Sequence, residues 1–99
     1  MEDITVQELK ERLDKKDDFV FIDVREQHEF DEQNLGAKLI PLGTLPQRIS
    51  ELENFKDQEV IIHCRSGARS GRAKEFLVQN GFTNVKNVLG GILAYNQLG

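Results

Sequence analysis

Apolar residues along this chain fall into short blocks divided by charged or glycine-bearing stretches, and the spacing inside the blocks changes from one to the next. Near the start, Val6, Leu9 and Leu13 recur at helical intervals behind Thr5 and Glu8, whose separation is that of a capping box. A first helix of about two turns is expected there. After the polar run Lys15-Lys16-Asp17-Asp18, the block Phe19-Val20-Phe21-Ile22 is uniformly apolar and bounded by charge, as a strand covered on both faces would be. It runs into Asp23-Val24-Arg25-Glu26. A polar stretch through Asn34 leads to Gly36-Ala37 and then Leu39-Ile40-Pro41, where proline limits any strand to a short or edge one. Thr44 and Gln47 repeat the capping-box spacing, Pro46 falls in the first turn, and Leu45, Ile49 and Leu52 share one helical face.

A second buried strand is read from Val60-Ile61-Ile62-His63, and it passes straight into Cys64-Arg65-Ser66-Gly67-Ala68-Arg69-Ser70. A helix follows, with Ala73, Phe76 and Leu77 on one face and Gly81 as its C-terminal cap. Val85-Lys86-Asn87-Val88 forms a last short strand, Gly90-Gly91 a turn, and Ile92 to Leu98 a terminal helix. Strands and helices alternate, and no tight hairpin signal joins any two strands. The fold class is therefore α/β, with a mainly parallel sheet covered by helices on both faces.

The chain has 99 residues, 38% hydrophobic and 30% charged, which fits one domain over 1–99 with a modest core. Its net charge of -4 disfavours nucleic acid or an anionic membrane as a partner. Neither a basic leader nor an apolar run near the roughly 20 residues of a membrane span occurs, so a cytoplasmic protein in a reducing compartment is expected. Without an obvious hydrophobic patch, it reads as a monomer. The single cysteine and the absence of a CxxC pair exclude a disulfide framework, a structural zinc site and a dithiol motif made within this chain. No phosphate-loop glycine pattern or ligand cluster implies a metal or nucleotide cofactor.

Chemistry is expected at Cys64. In open parallel sheets ligands bind beyond the carboxyl ends of strands, and a cysteine between a strand and a helix has its thiolate stabilised by backbone N–H groups and the helix dipole. From His63 to Lys74 the chain carries four cations and no acid, whereas the rest has nine basic residues against 17 acidic ones. Lone cysteines are often inert core residues. A glycine-containing turn, two serines and several arginines around the thiol argue instead for a reactive cysteine in an anion-binding loop.

Four motifs in order, Asp23-Val24-Arg25-Glu26, Gly36-Ala37 before Ile40-Pro41, the loop Cys64 to Ser70, and Gly90-Gly91-Ile92, together resemble a single-domain rhodanese, over nearly the whole chain from Ile4 to Tyr95. The resemblance implies a five-stranded parallel sheet and a sulfurtransferase. Cys64 would take the outer sulfur of a small anionic donor such as thiosulfate, hold it as a persulfide, and yield it to cyanide or a thiol, a protein thiol included. Backbone N–H groups from Arg65 to Ser70, with the small residues Gly67 and Ala68, would cradle the anions. Arg65 and Arg69 would orient the donor, and Ser66 and Ser70 would supply hydroxyls. Asp23 and Arg25 would form a structural polar pair beside the loop, and Arg72 a solvated helix face.

His63 precedes the nucleophile, but neighbours on a strand point to opposite faces, which argues against a Cys-His dyad. His28 reads as a surface residue, and the scattered acids as solvated helix faces. The chain departs from the family pattern at Asn34, where a histidine is frequent, and at Tyr95, where a tryptophan is frequent; both changes are expected at the rim of the site. Three other readings compete. A cysteine phosphatase needs five residues between cysteine and arginine, and Cys64 and Arg69 are one short. A non-catalytic binding module of this fold typically lacks the cysteine. A persulfide carrier for a specific partner protein would use the same residues with a different acceptor.

Overall fold

The computed structural model describes residues 2–98. In chain order the elements are α1 (Val6–Asp14), β1 (Val20–Asp23), α2 (Gln27–Glu32), β2 (Lys38–Leu39), a 3-10 turn (Leu42–Thr44), α3 (Leu45–Arg48), a 3-10 segment (Ile49–Phe55), β3 (Val60–His63), α4 (Ala68–Gln79), β4 (Val85–Asn87) and α5 (Gly91–Tyr95). The sheet has the order β2-β1-β3-β4, and every pair in it is parallel.

The expectation of five strands is corrected to four among the described residues. The segment ahead of α1 reaches the β4 edge but contributes one bridge only, Ile4 to Val88. Thr5 ends it, because its hydroxyl accepts from the Glu8 N–H while Glu8 accepts from the Thr5 N–H, and this capping box turns the chain out of the sheet into α1. The second capping box is also corrected. Thr44 has helical backbone angles and its hydroxyl bonds the Pro41 carbonyl at 2.8 Å, so it closes the 3-10 turn instead of capping α3. Leu45 and Leu52 are nonetheless buried, with Ile49 packed beside them.

Side-chain alternation along the strands divides the core in two. Ile22, Val60, Ile62 and Cys64 face a cluster with Leu45, Leu52, Ala73 and Leu77, the side covered by α3 and α4. Ile61 faces Ile4, Val6, Leu9 and Val88, with Phe21, Ala94 and Tyr95 alongside, the side covered by α1 and α5. Helices thus cover both faces. Tyr95 packs into this second cluster instead of the rim of the Cys64 loop, because α5 lies against α1. At the far end of α4, Gly81 (φ +94°) lets its own N–H reach the Val78 carbonyl and that of Phe82 reach Leu77, the two bonds of a Schellman cap. No helix of the described residues is long and apolar enough to cross a membrane.

Candidate active site

β3 delivers Cys64 to the carboxyl edge of the sheet, and the chain then curls so that α4 begins four residues later, at Ala68. Gly67 makes that turn. Its φ of +105° is a left-handed conformation that side-chain-bearing residues rarely adopt, and it aims successive N–H groups back at the sulfur. Cys64 Sγ receives the Gly67 N–H at 3.1 Å, the Ser70 N–H at 3.4 Å and the Ser70 hydroxyl at 3.3 Å. Burial works to raise the Cys64 thiol, but the Ser70 hydroxyl and the N–H groups of Ser70, Gly67 and Ser66 outweigh it and hold the thiol below its ordinary value.

The loop is braced from outside. Ile92 and Leu93 at the start of α5 donate their N–H groups to the Cys64 and Arg65 carbonyls at 3.0 and 3.1 Å. Gly91 permits this approach, since a Cβ there would overlap both carbonyls. From β4, Asn87 accepts from the Ser70 hydroxyl at 2.5 Å and donates to the Gly67 carbonyl at 3.1 Å.

Asp23 and Arg25 meet at the end of β1, both buried, with the guanidinium forked on the carboxylate at 2.7–3.0 Å. Arg25 also donates to the carbonyls of Glu29 and Gln33, tying α2 to the sheet. Arg69 is held by both oxygens of Glu29, at 2.7 and 2.9 Å. Arg65, Ser66 and Ala68 are exposed, and Arg65 lines a cavity of about 170 Å³ with Arg25, Glu29, Glu32, Gln33 and Ile92. Arg72 and His28 are exposed. Asn34 is exposed in the turn after α2, where its side chain accepts the Gly36 N–H at 3.0 Å.

His63 belongs to the opposite face. Its ring lies 5.3 Å from that of Phe21 and 3.6 Å from Asp23, and it meets Cys64 only through the backbone carbonyl. No side-chain dyad forms.

The family model of the rhodanese-like domain matches residues 5–98. The chain belongs to the rhodanese-like domain family.

A sulfurtransferase of Allochromatium vinosum is 37% identical to this rhodanese-like domain over 98 residues, covering 98% of this chain and 90% of the relative. A crystal structure of a rhodanese-like domain protein from Staphylococcus aureus aligns with a TM-score of 0.82 at 36% identity, over 96% of this chain and 91% of that one. Other relatives are longer: the chain spans 24% of a tRNA uridine(34) hydroxylase of Cronobacter sakazakii, to which it is 34% identical over 83 residues. The rhodanese-like unit thus occurs nearly alone and as a quarter of a larger protein.

Two contributors to the rhodanese-like site were not expected. Glu29 reads from the sequence as one of the solvated acids, yet it lies in the first turn of α2 at the same carboxyl edge of the sheet that bears Cys64, and that placement is its only signal. Asn87 reads from the sequence only as part of a strand; its signal is a polar residue ending β4 at the edge of the sheet that bears Cys64.

Proposed function

We propose that this domain is a sulfurtransferase working through a persulfide on Cys64. The supporting observation is the sulfur's surroundings: a depressed thiol receiving backbone N–H groups and a hydroxyl at the N-terminal turn of α4. In the first step the Cys64 thiolate attacks the terminal sulfur of a sulfane donor such as thiosulfate. The Cys64–sulfur bond forms, the donor's S–S bond breaks, and sulfite leaves with the electron pair. In the second step a thiolate or cyanide attacks the outer sulfur of the persulfide, and the Cys64 thiolate departs. Two displacements on one nucleophile produce ping-pong kinetics.

The N–H groups that stabilise the thiolate also suit the persulfide anion and demand little reorganisation during transfer. A phosphate-ester reaction is disfavoured because Arg69, one position closer to the cysteine than a phosphatase arginine, is committed to Glu29.

Intact mass after incubation with thiosulfate, followed by a thiol chase, tests this reading. The expected result is one added sulfur that requires Cys64 and leaves with the chase. No adduct from thiosulfate, a thiosulfonate or polysulfide would overturn it. An adduct that forms readily but discharges slowly to small acceptors would make the domain a persulfide carrier.

A further inference from the structure

The stretch around Cys64 is rich in cations along the sequence, yet folding hands two of the four to carboxylates from distant segments. Lys74 Nζ lies 2.5 Å from Asp3, and Arg69 is gripped by Glu29. Arg69 is near enough to Cys64 for the thiolate to favour its charge, and Glu26 acts on the same guanidinium. Glu32 joins Glu29 and Arg65 around the cavity beside the loop, where Arg25 is already forked on buried Asp23. Beside the loop, therefore, Arg65 and Arg69 stand against Glu26, Glu29 and Glu32, and the balance of these side chains is not cationic.

Glu29 is held firmly in this position. Its carboxylate accepts the Glu26 N–H at 3.0 Å, and its own carbonyl accepts from Arg25 at 3.3 Å. A fixed carboxylate repels an approaching donor in proportion to the donor's charge. Thiosulfate carries two charges, whereas an organic thiosulfonate offers the same terminal sulfur with one.

We propose that the Glu29–Arg69 pair sets the charge of the sulfur donor, selecting a thiosulfonate or persulfide with at most one negative charge over the thiosulfate dianion. This rests on the sulfurtransferase reading. With a thiosulfonate the Cys64 thiolate bonds the terminal sulfur, the S–S bond breaks, and a sulfinate leaves with the electron pair. Glu29 is a specificity-determining residue here, acting through Arg69, and does not itself touch the transferred sulfur.

The test measures kcat/KM with cyanide as acceptor and thiosulfate or methanethiosulfonate as donor, for the full chain and for Glu29→Gln, Arg69→Ala and the double variant. In ping-pong kinetics this quantity reports the donor half-reaction alone. Glu29→Gln uncovers the Arg69 charge and is expected to raise thiosulfate efficiency about tenfold and methanethiosulfonate efficiency about threefold. It also steepens the fall of the thiosulfate value with added salt. Arg69→Ala shifts both donors downward, thiosulfate more, and the double variant falls between the singles.

If Glu29→Gln lowers both donors together and leaves their ratio and salt dependence as in the wild type, the pair is merely structural and the proposal fails. Should circular dichroism show that Glu29→Gln does not fold, the wild type decides. A nearly flat salt dependence for thiosulfate supports the proposal, and a steep fall overturns it. A wild type that loads neither donor on Cys64 removes the sulfurtransferase reading itself, a result distinct from loading without charge selection.

Discussion

The Ser70 hydroxyl lies 2.5 Å from Asn87 Oδ1, closer than the 3.3 Å that separates it from the Cys64 sulfur. A hydroxyl has one proton to donate. Asn87 is oriented by its own amide N–H bond to the Gly67 carbonyl, so its oxygen faces Ser70 in a fixed way. Ser70 Oγ stands within donating distance of both the Asn87 oxygen and the Cys64 sulfur, so rotation about the Cβ–Oγ bond directs its proton to one or the other. Asn87 and the thiolate thus compete for one proton, and the backbone N–H groups supply the stabilisation that does not depend on this rotation.

Ser70→Ala separates the two contributions. It removes the hydroxyl and leaves the N–H groups, so the midpoint of Cys64 alkylation against pH moves upward, toward the ordinary 9.0. Alkylation at neutral pH slows severalfold while the thiol stays more acidic than a free cysteine. An unchanged midpoint would show that the hydroxyl contributes nothing to the thiolate.

Gly91 is where α5 touches the loop. Gly91→Ala requires a side chain at φ +59° and drives its Cβ into the carbonyls of Arg65 and Cys64. The expected cost is about 2 kcal/mol or more, read from urea unfolding. Sulfur loading should weaken as well, because the same carbonyls frame the nucleophile.

Arg25→Ala removes the guanidinium fork from Asp23, which is 0% exposed and keeps the backbone N–H of residue 25 at 3.0 Å and the His63 ring 3.6 Å away. Breaking such a pair costs about 3–5 kcal/mol, a large share of the roughly 5–15 kcal/mol that stabilise an ordinary domain. Denaturant titration measures it. Arg25→Lys restores little, since a single ammonium does not replace the fork on Asp23 and the two carbonyl contacts to α2.

Stability should fall with acid in two windows. Burial lowers the affinity of His63 for a proton despite the neighbouring Asp23, so the unfolded chain takes up a proton below about 6.5 that the folded one refuses. The His63 contribution is complete above that pH and is lost as pH falls from there toward the lower value of the folded state. Glu29 and Glu59, bonded to Arg69 and Arg12, are pushed down to about 2, so their contribution is complete above the ordinary 4.5 and is lost from there toward about 2. Urea midpoints measured across pH resolve the two steps, and His63→Phe removes only the upper one.

Local features were legible in the residue order because they depend on near neighbours. The Thr5 capping box, the apolar blocks of β1 and β3 and the Gly81 cap each lie within a few positions of what they bond, and their periodicity survives folding. The heart of the site is equally local. Ser66, Gly67 and Ser70 lie within six residues of Cys64, and a strand ending in a glycine turn is enough to direct their N–H groups toward the sulfur, with α5 and Asn87 bracing the turn from outside. The orientation of His63 followed from strand alternation for the same reason.

What lay beyond the residue order involves partners far apart in the chain. Glu29 and Arg69 are 40 positions apart and Ser70 and Asn87 are 17 apart; they meet because parallel pairing brings the carboxyl ends of β1, β3 and β4 to one edge. The cationic stretch around Cys64 is therefore a property of the chain, whereas the near balance of charge beside the loop is a property of the fold, since Coulomb interactions depend on distance in space and not on separation in sequence. The missing fifth strand and the uncapped α3 have a related origin. In each, a local side-chain bond decides the outcome: the Thr5–Glu8 box starts α1 directly after the Ile4–Val88 bridge, and the Pro41 carbonyl takes the Thr44 hydroxyl that α3 would need as a cap.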